Sequence, residues 1–260
     1  MDLKLQGKMA LITGASMGIG AHIAETLAIE GVNLHLTARS RDKLEALKVR
    51  IGEISDVTVT VHPLDLAVEG SAAILAKAAS SVDILVNNAG AIPSGDLWDV
   101  DEAALRKGFD LKVFGYISMC RVFYTKMKEA GGGVIINIIG NGGEVLDRDY
   151  IAGATGNISL MGFTRALGGY ALDDNMRVVG INPGPVNTNR IYNMLKKWAE
   201  KDLGDADRYQ ELADGYPLGR PAHCSEISDL VAFLASERSG YTTGTIYTVD
   251  GGISARTSII

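Results

Sequence analysis

Gly14, Gly18 and Gly20 stand in "LITGASMGIGAHIAETLAIEG", between a short apolar run and an amphipathic one. That layout predicts a strand, a tight turn and a helix. Glycine lets the turn close and lets backbone approach a ligand. A helix beginning near Gly18 aims its free N–H groups and positive dipole end at the same space, which suits a pyrophosphate. After the next apolar run comes "TARSRDKLE". In dinucleotide folds this strand end meets the adenosine ribose, where an acidic side chain binds two hydroxyls and repels a 2′-phosphate. Here Arg39 and Ser40 occupy the place, with Arg41 beside them. Arginine clamps phosphate through paired hydrogen bonds, so the sequence favours NADP(H) over NAD(H).

The elements that must position these residues follow from the apolar pattern. Met9–Thr13, Asn33–Ala38, Val57–His62, Asp83–Asn87, Gly133–Ile138, Arg177–Asn182 and Thr245–Asp250 read as strands, separated by helical segments such as Ile19–Glu30 and Asp42–Gly52. Near-continuous apolar strands alternating with helices predict an α/β fold: one Rossmann-like doubly wound domain spanning 1–260, its seven-stranded parallel sheet flanked by helices on both faces. Residues 189–219 are too long and too charged for a simple connection. They read as a partly helical lid over a substrate pocket, with Tyr192, Trp198 and Tyr209 either lining that pocket or packing the helices.

A net charge of −6 gives no basic footprint for nucleic acid. Four scattered histidines have no metal-ligand spacing, so no metal is expected. The N-terminus lacks a signal-peptide layout, no apolar run is long enough to span a bilayer, and Cys120 and Cys224 make no disulfide framework; a cytoplasmic protein without membrane attachment is the expectation.

Over essentially its whole length the chain resembles the classical short-chain dehydrogenases/reductases. "TGASMGIG" is similar to their cofactor turn, which assigns Gly14, Ser16, Met17, Gly18, Ile19 and Gly20 to the cofactor. "LDL" resembles the segment that meets the adenine, here Asp65 and Leu66; "NNAG" resembles the fourth-strand motif, with Asn88, Ala89 and Gly90. "NPGPVNT" is similar to the loop around the nicotinamide, with Pro183, Gly184, Val186 and Thr188, and "VDGG" to the usual ending. Met17 departs from the basic residue that NADP-preferring members often carry there.

The resemblance implies a catalytic tyrosine, a lysine four residues later that holds the ribose, a serine and an asparagine. A phenol works as an acid near neutral pH only when a cation stabilises its anion. Aligned from both sides, the serine position falls on Gly140, the tyrosine position on Gly153, the lysine position on Asn157 and the asparagine position on Lys112. A second alignment makes Tyr150 the tyrosine and Ala154 the lysine position. Neither restores the set. Tyr150, one helical turn before Gly153, can lean into the space glycine leaves. Lys112 returns a cation as one is lost at Asn157. Tyr150 as proton donor and Lys112 as its support and ribose contact form the expected rearranged pair; Asn157 keeps a hydrogen bond for the ribose. Asp147, Arg148 and Asp149 form a charged cluster that is either solvated or supplies an aspartate for acid–base work.

The implied activity is an oxidoreductase acting on a small carbonyl or alcohol. The alternatives are a non-catalytic NADP(H)-binding sensor or assembly protein, and a lyase or isomerase using the same pocket. The resemblance also implies a homodimer or homotetramer through Leu111–Lys128, Asn157–Leu172 and the "VDGG" end.

Overall fold

Met9–Thr13 (β1) is an inner strand of the sheet with both of its faces covered: Leu11 faces one helical layer, Ala10 and Ile12 the other, and all three are buried. A computed structural model describes residues 1–256. The remaining strands are Asn33–Ala38 (β2), Val59–Pro63 (β3), Ile84–Asn87 (β4), Gly133–Ile138 (β5), Met176–Pro183 (β6) and Ile246–Val249 (β7). All pair in parallel in the order β3-β2-β1-β4-β5-β6-β7. Chain order reverses at β1, whose neighbours are β2 and β4, and a crevice opens beyond the carboxyl ends of such strands.

One layer holds Gly18–Ile29 (α1), Arg41–Ile54 (α2) and Cys224–Ala235 (α9). Leu27, Leu44, Leu47, Ile227 and Val231 pack there against Ile12, Leu34 and Leu36. The other layer holds Ser71–Ala78 (α3), Glu102–Phe109 (α4), Gly115–Glu129 (α5) and Ile151–Gly168 (α6). Leu75, Met119 and Phe123 meet Leu11, Leu85 and Val178 on that side. Asn189–Leu203 (α7) and Tyr209–Asp214 (α8) stand apart with an apolar cluster of their own. Asp110–Phe114 joins α4 to α5 as one wide π turn, so Glu102–Glu129 runs as a single widened rod.

The expected strands are all present, with shifted ends. β3 begins at Val59 rather than Val57 because the Asn33 side chain accepts the Thr58 N–H at 2.8 Å, ahead of the ladder. Tyr192, Trp198 and Tyr209 pack with Ile191, Leu195 and Ala213 inside the α7–α8 segment. Among the described residues no helix is long and apolar enough to cross a membrane, and no group of three metal-ligating side chains forms.

The edge of the sheet carries a pH-sensitive pair. His35 of β2 and His62 of β3 share a face, with Nε2 of His62 3.0 Å from Nδ1 of His35. Burial, then the neighbouring His62 and Lys126, lower the His35 pKa to about 4; burial lowers that of His62 as well. Between pH 6.5 and 4 the unfolded chain therefore binds more protons than the folded one, and stability falls as pH falls. The loss by pH 4.5 should be about 2 kcal/mol. Denaturant midpoints at pH 7 and 4.5 check this: His35→Leu should flatten the difference, and an unchanged acid loss would show that other groups carry it.

Candidate active site

A cleft of about 1050 Å³ runs beyond the carboxyl ends of β1, β2, β4, β5 and β6. Its inner edge is the first turn. Gly14 has φ +65°, and a Cβ there would lie 2.8 Å from the Ala89 Cα; only glycine lets the β1 and β4 turns come this close. Thr13 Oγ1 accepts the Asn88 and Ala89 N–H groups at 2.9 and 3.0 Å. The Asn88 amide donates back to the Thr13 and Gly14 carbonyls at 3.1 and 3.2 Å. The two turns thus form one rigid floor at the N-terminus of α1. This cradle, which side chains would fill, fits the diphosphate of a dinucleotide.

Ser16, Met17, Gly18 and Ile19 line the cleft beside Gly14. Gly20 lies behind it, where a Cβ would overlap the Gly14 carbonyl. At one end stand Arg39, Ser40, Asp65 and Leu66. Arg39 is exposed there. Ser40 caps α2 by accepting the Lys43 N–H at 3.5 Å, and this first turn carries Lys43 into the cleft wall as a second cation that the sequence reading did not single out. Arg41 sits near Glu45 instead, at 3.9 Å. Asn88, Ala89, Gly90, Pro183, Gly184, Val186 and Thr188 line the middle.

At the other end the π turn turns Lys112 inward. Its Nζ donates to the Ile138 carbonyl at 2.6 Å and the Tyr116 hydroxyl at 3.0 Å, and Tyr116 donates to the same carbonyl at 2.9 Å. Gly90 leaves room for the lysine stem, since a Cβ there would lie 2.8 Å from Lys112 Cδ. Lys112 is 8% exposed yet lines the cleft. Burial first, then the positive Arg190, bring its pKa down to about 7. A widened turn in a helix often marks a functional site, and a strongly shifted amine in a cleft is a candidate for chemistry.

Tyr150 is the N-cap of α6, and its ring lies in a slot between two glycines. A Cβ on Gly153 would overlap the ring, and one on Gly142 would lie 3.1 Å from it. The space that Gly153 leaves is filled by Tyr150. The cation at the phenol is Arg190, whose Nη2 donates to the Tyr150 oxygen and to the Ile92 carbonyl, both at 3.1 Å. Lys112 makes no hydrogen bond to Tyr150, so direct support of the phenol by this lysine is absent from the geometry. Gly140 and Asn157 face each other on the cleft wall: Asn157 is buried, and a Cβ on Gly140 would lie 3.0 Å from its Nδ2. With φ +138°, Gly140 holds a backbone conformation that a serine would strain.

In the charged cluster, Asp147 lines the cleft and accepts the Asp149 N–H at 2.9 Å, while Asp149 pairs with Lys201 at 3.4 Å. Met194, Trp198 and Tyr216 add an outer apolar wall. Tyr116 and Arg190 escaped the sequence reading. Tyr116 had a local signal, four residues after Lys112; Arg190 had only its place two residues past Thr188.

A family model described as enoyl-(acyl carrier protein) reductase matches residues 14–254. The oxidoreductase UcpA of Salmonella typhimurium is 33% identical over 260 residues, covering 98% of each chain. The crystal structure of L-sorbose reductase from Gluconobacter frateurii, complexed with NADPH and L-sorbose, matches at a TM-score of 0.90 and 31% identity over 99% of this chain and 100% of that one. A 7α-hydroxysteroid dehydrogenase complexed with NADH and 7-oxo glycochenodeoxycholic acid matches at 0.86 and 27% identity over 96% of each chain.

Proposed function

The chain belongs to the short-chain dehydrogenase/reductase family, whose relatives here are oxidoreductases, and from that premise we propose that it is an NADP(H)-dependent oxidoreductase of small carbonyls or alcohols with a rearranged active site. The observation that carries this reading is the Tyr150 phenol at the mouth of the dinucleotide cleft, held between two glycines with Arg190 on its oxygen. Gly14 and the α1 N-terminus would hold the diphosphate, Arg39 the 2′-phosphate with Lys43 behind it, and Asp65 and Leu66 the adenine. The Pro183–Thr188 loop would hold the nicotinamide amide.

When bound, a reduced nicotinamide would supply the hydride for the carbonyl carbon and the two electrons of the reduction. The carbonyl electron pair moves onto oxygen, which takes the Tyr150 proton and becomes a hydroxyl. Arg190 offsets the negative charge that develops on the phenolic oxygen, and solvent returns the proton. Lys112 has two donors fixed on the Tyr116 and Ile138 oxygens and one left for the cleft, where it and Asn157 meet the ribose. Orientation alone contributes much of the rate.

Residues 189–219 act as the lid over the substrate. Exposed Phe114 and Ile158 lie on the two segments through which a homodimer or homotetramer would form. The two free, buried cysteines suit the cytoplasm.

Titration with NADPH and NADH, followed by nucleotide fluorescence, tests the cofactor reading. NADPH should bind at least tenfold more tightly. Arg39→Ala should erase that preference, a loss of roughly 10- to 100-fold for one charge-assisted phosphate contact. Equal affinities that Arg39→Ala leaves unchanged would overturn it.

A further inference from the structure

Arg190 has a surplus of donors and no anion. Its Nη2 serves the Tyr150 oxygen and the Ile92 carbonyl, both uncharged. A guanidinium has five N–H donors, so those on Nε and Nη1 remain. No carboxylate of the described residues lies within ion-pair distance of it. Arg41, Arg50, Arg106 and Arg208 each face a glutamate, and of the exposed helix arginines without one, Arg121, Arg165, Arg190 and Arg238, it is Arg190 that lines the cleft.

The surroundings agree. Lys112 and Arg190 line the substrate end, and Asp147 is the carboxylate there, its Oδ1 already engaged by the Asp149 N–H. The outer wall of Met194, Trp198 and Tyr216 is apolar and offers no acid to the guanidinium. A charge without a counter-ion in such a place favours an anionic ligand, which gains charge-assisted hydrogen bonds.

The distance to the reacting oxygen narrows the ligand. A substrate oxygen taking the Tyr150 proton lies about 2.7 Å from the phenol, and Arg190 Nη2 lies 3.1 Å from that same phenol. A carboxylate on the free Nε or Nη1 of Arg190 can therefore lie up to about 11 Å from the reacting oxygen, given ordinary hydrogen-bond lengths of about 2.8 Å. Small oxo acids of several chain lengths fit within that limit. Resting on the oxidoreductase reading above, we infer that the substrate is a small oxo acid, or the matching hydroxy acid, whose carboxylate is held by Arg190. Uncharged ketones of the same shape lack the group this site is built to bind.

Matched pairs that differ in that charge test the inference: 2-oxobutanoate, acetoacetate, 4-oxopentanoate and 5-oxohexanoate, each against its methyl ester and each with NADPH. The readouts are kcat/KM from NADPH oxidation and the melting temperature of the NADPH complex with each compound. At least one acid should exceed its ester 30-fold or more in kcat/KM and raise the melting temperature where the ester does not. Arg190→Gln lowers overall turnover through its contact with Tyr150, so the acid-to-ester ratio is the decisive quantity. That ratio should fall to near one, and the acid-induced shift should vanish. Esters matching acids, with the ratio unmoved by Arg190→Gln, would overturn the acid inference and leave the oxidoreductase reading intact. If NADPH binds but no compound is reduced, the melting shift decides: an acid-specific shift lost in Arg190→Gln upholds the carboxylate site, and its absence overturns it.

Discussion

Lys112→Met should melt at least 4 °C above the wild-type protein and turn over at least tenfold more slowly. The two halves of this result have one cause. The amine is buried, and its pKa is held at about 7 against an ordinary 10.5. The unfolded chain therefore binds more protons than the folded one between those values, so burying the amine near neutral pH costs on the order of 5 kcal/mol. Methionine removes that cost with a side chain of similar reach. No acceptor is orphaned, because the Tyr116 hydroxyl still donates to the Ile138 carbonyl. Even a gain of about 2 kcal/mol raises the midpoint by several degrees in a chain of this size. The lost activity follows from the lost donor and charge at the proposed ribose contact, a charged hydrogen bond worth about 1.5–3 kcal/mol or roughly 10- to 100-fold.

The pH profile carries the same signature. The groups facing Lys112 are Tyr116 from its own helix and Arg190 from α7. Reduction that uses the ammonium should decline as pH rises through about 7, and the decline should be gone in Lys112→Met. A variant that instead melts lower, with its pH profile unchanged, would make Lys112 a structural side chain.

The turn end of the cleft, where the cofactor is proposed to bind, was legible in the sequence because its determinants are local. A turn that must bring Gly14 against Ala89 requires glycine at that position, and the requirement shows in the residue type. Ser40 announces the start of α2, and the start of α2 places Arg39. The strands were legible where both faces are covered, as in β1 and β5, and blurred at the edge strand β3, where a side chain takes the first ladder contact.

The substrate half was legible only in part, because its contacts join distant segments. Tyr116 meets the Ile138 carbonyl across 22 positions, and Arg190 reaches the Tyr150 oxygen across 40. No periodicity encodes such pairs. The π turn that points Lys112 inward has no signature in "FDLKVFG" either. What the sequence did carry was the coincidence of a small residue at Gly153 with an aromatic one turn earlier, and the ring does occupy that space.

Tyr150→Phe should reduce kcat for NADPH-dependent carbonyl reduction by 100-fold or more, leaving NADPH affinity within about twofold, since the proton donor is worth roughly 10²- to 10⁴-fold. A phenylalanine fits the same slot, so stability changes little apart from the loss of one exposed hydrogen bond to Arg190. Gly153→Ala separates position from chemistry. It keeps the phenol but adds a methyl group where the Tyr150 ring now lies, and the ring is the end free to swing away. Alanine is also the better helix former, by about 1 kcal/mol, so the variant should fold at least as well while losing most of its turnover. Its defect should not add to that of Tyr150→Phe: the double variant should be no slower than Tyr150→Phe alone, because both changes remove the same proton donor from the same place. Additive losses would mean that Gly153 serves the substrate directly and that the proton comes from elsewhere.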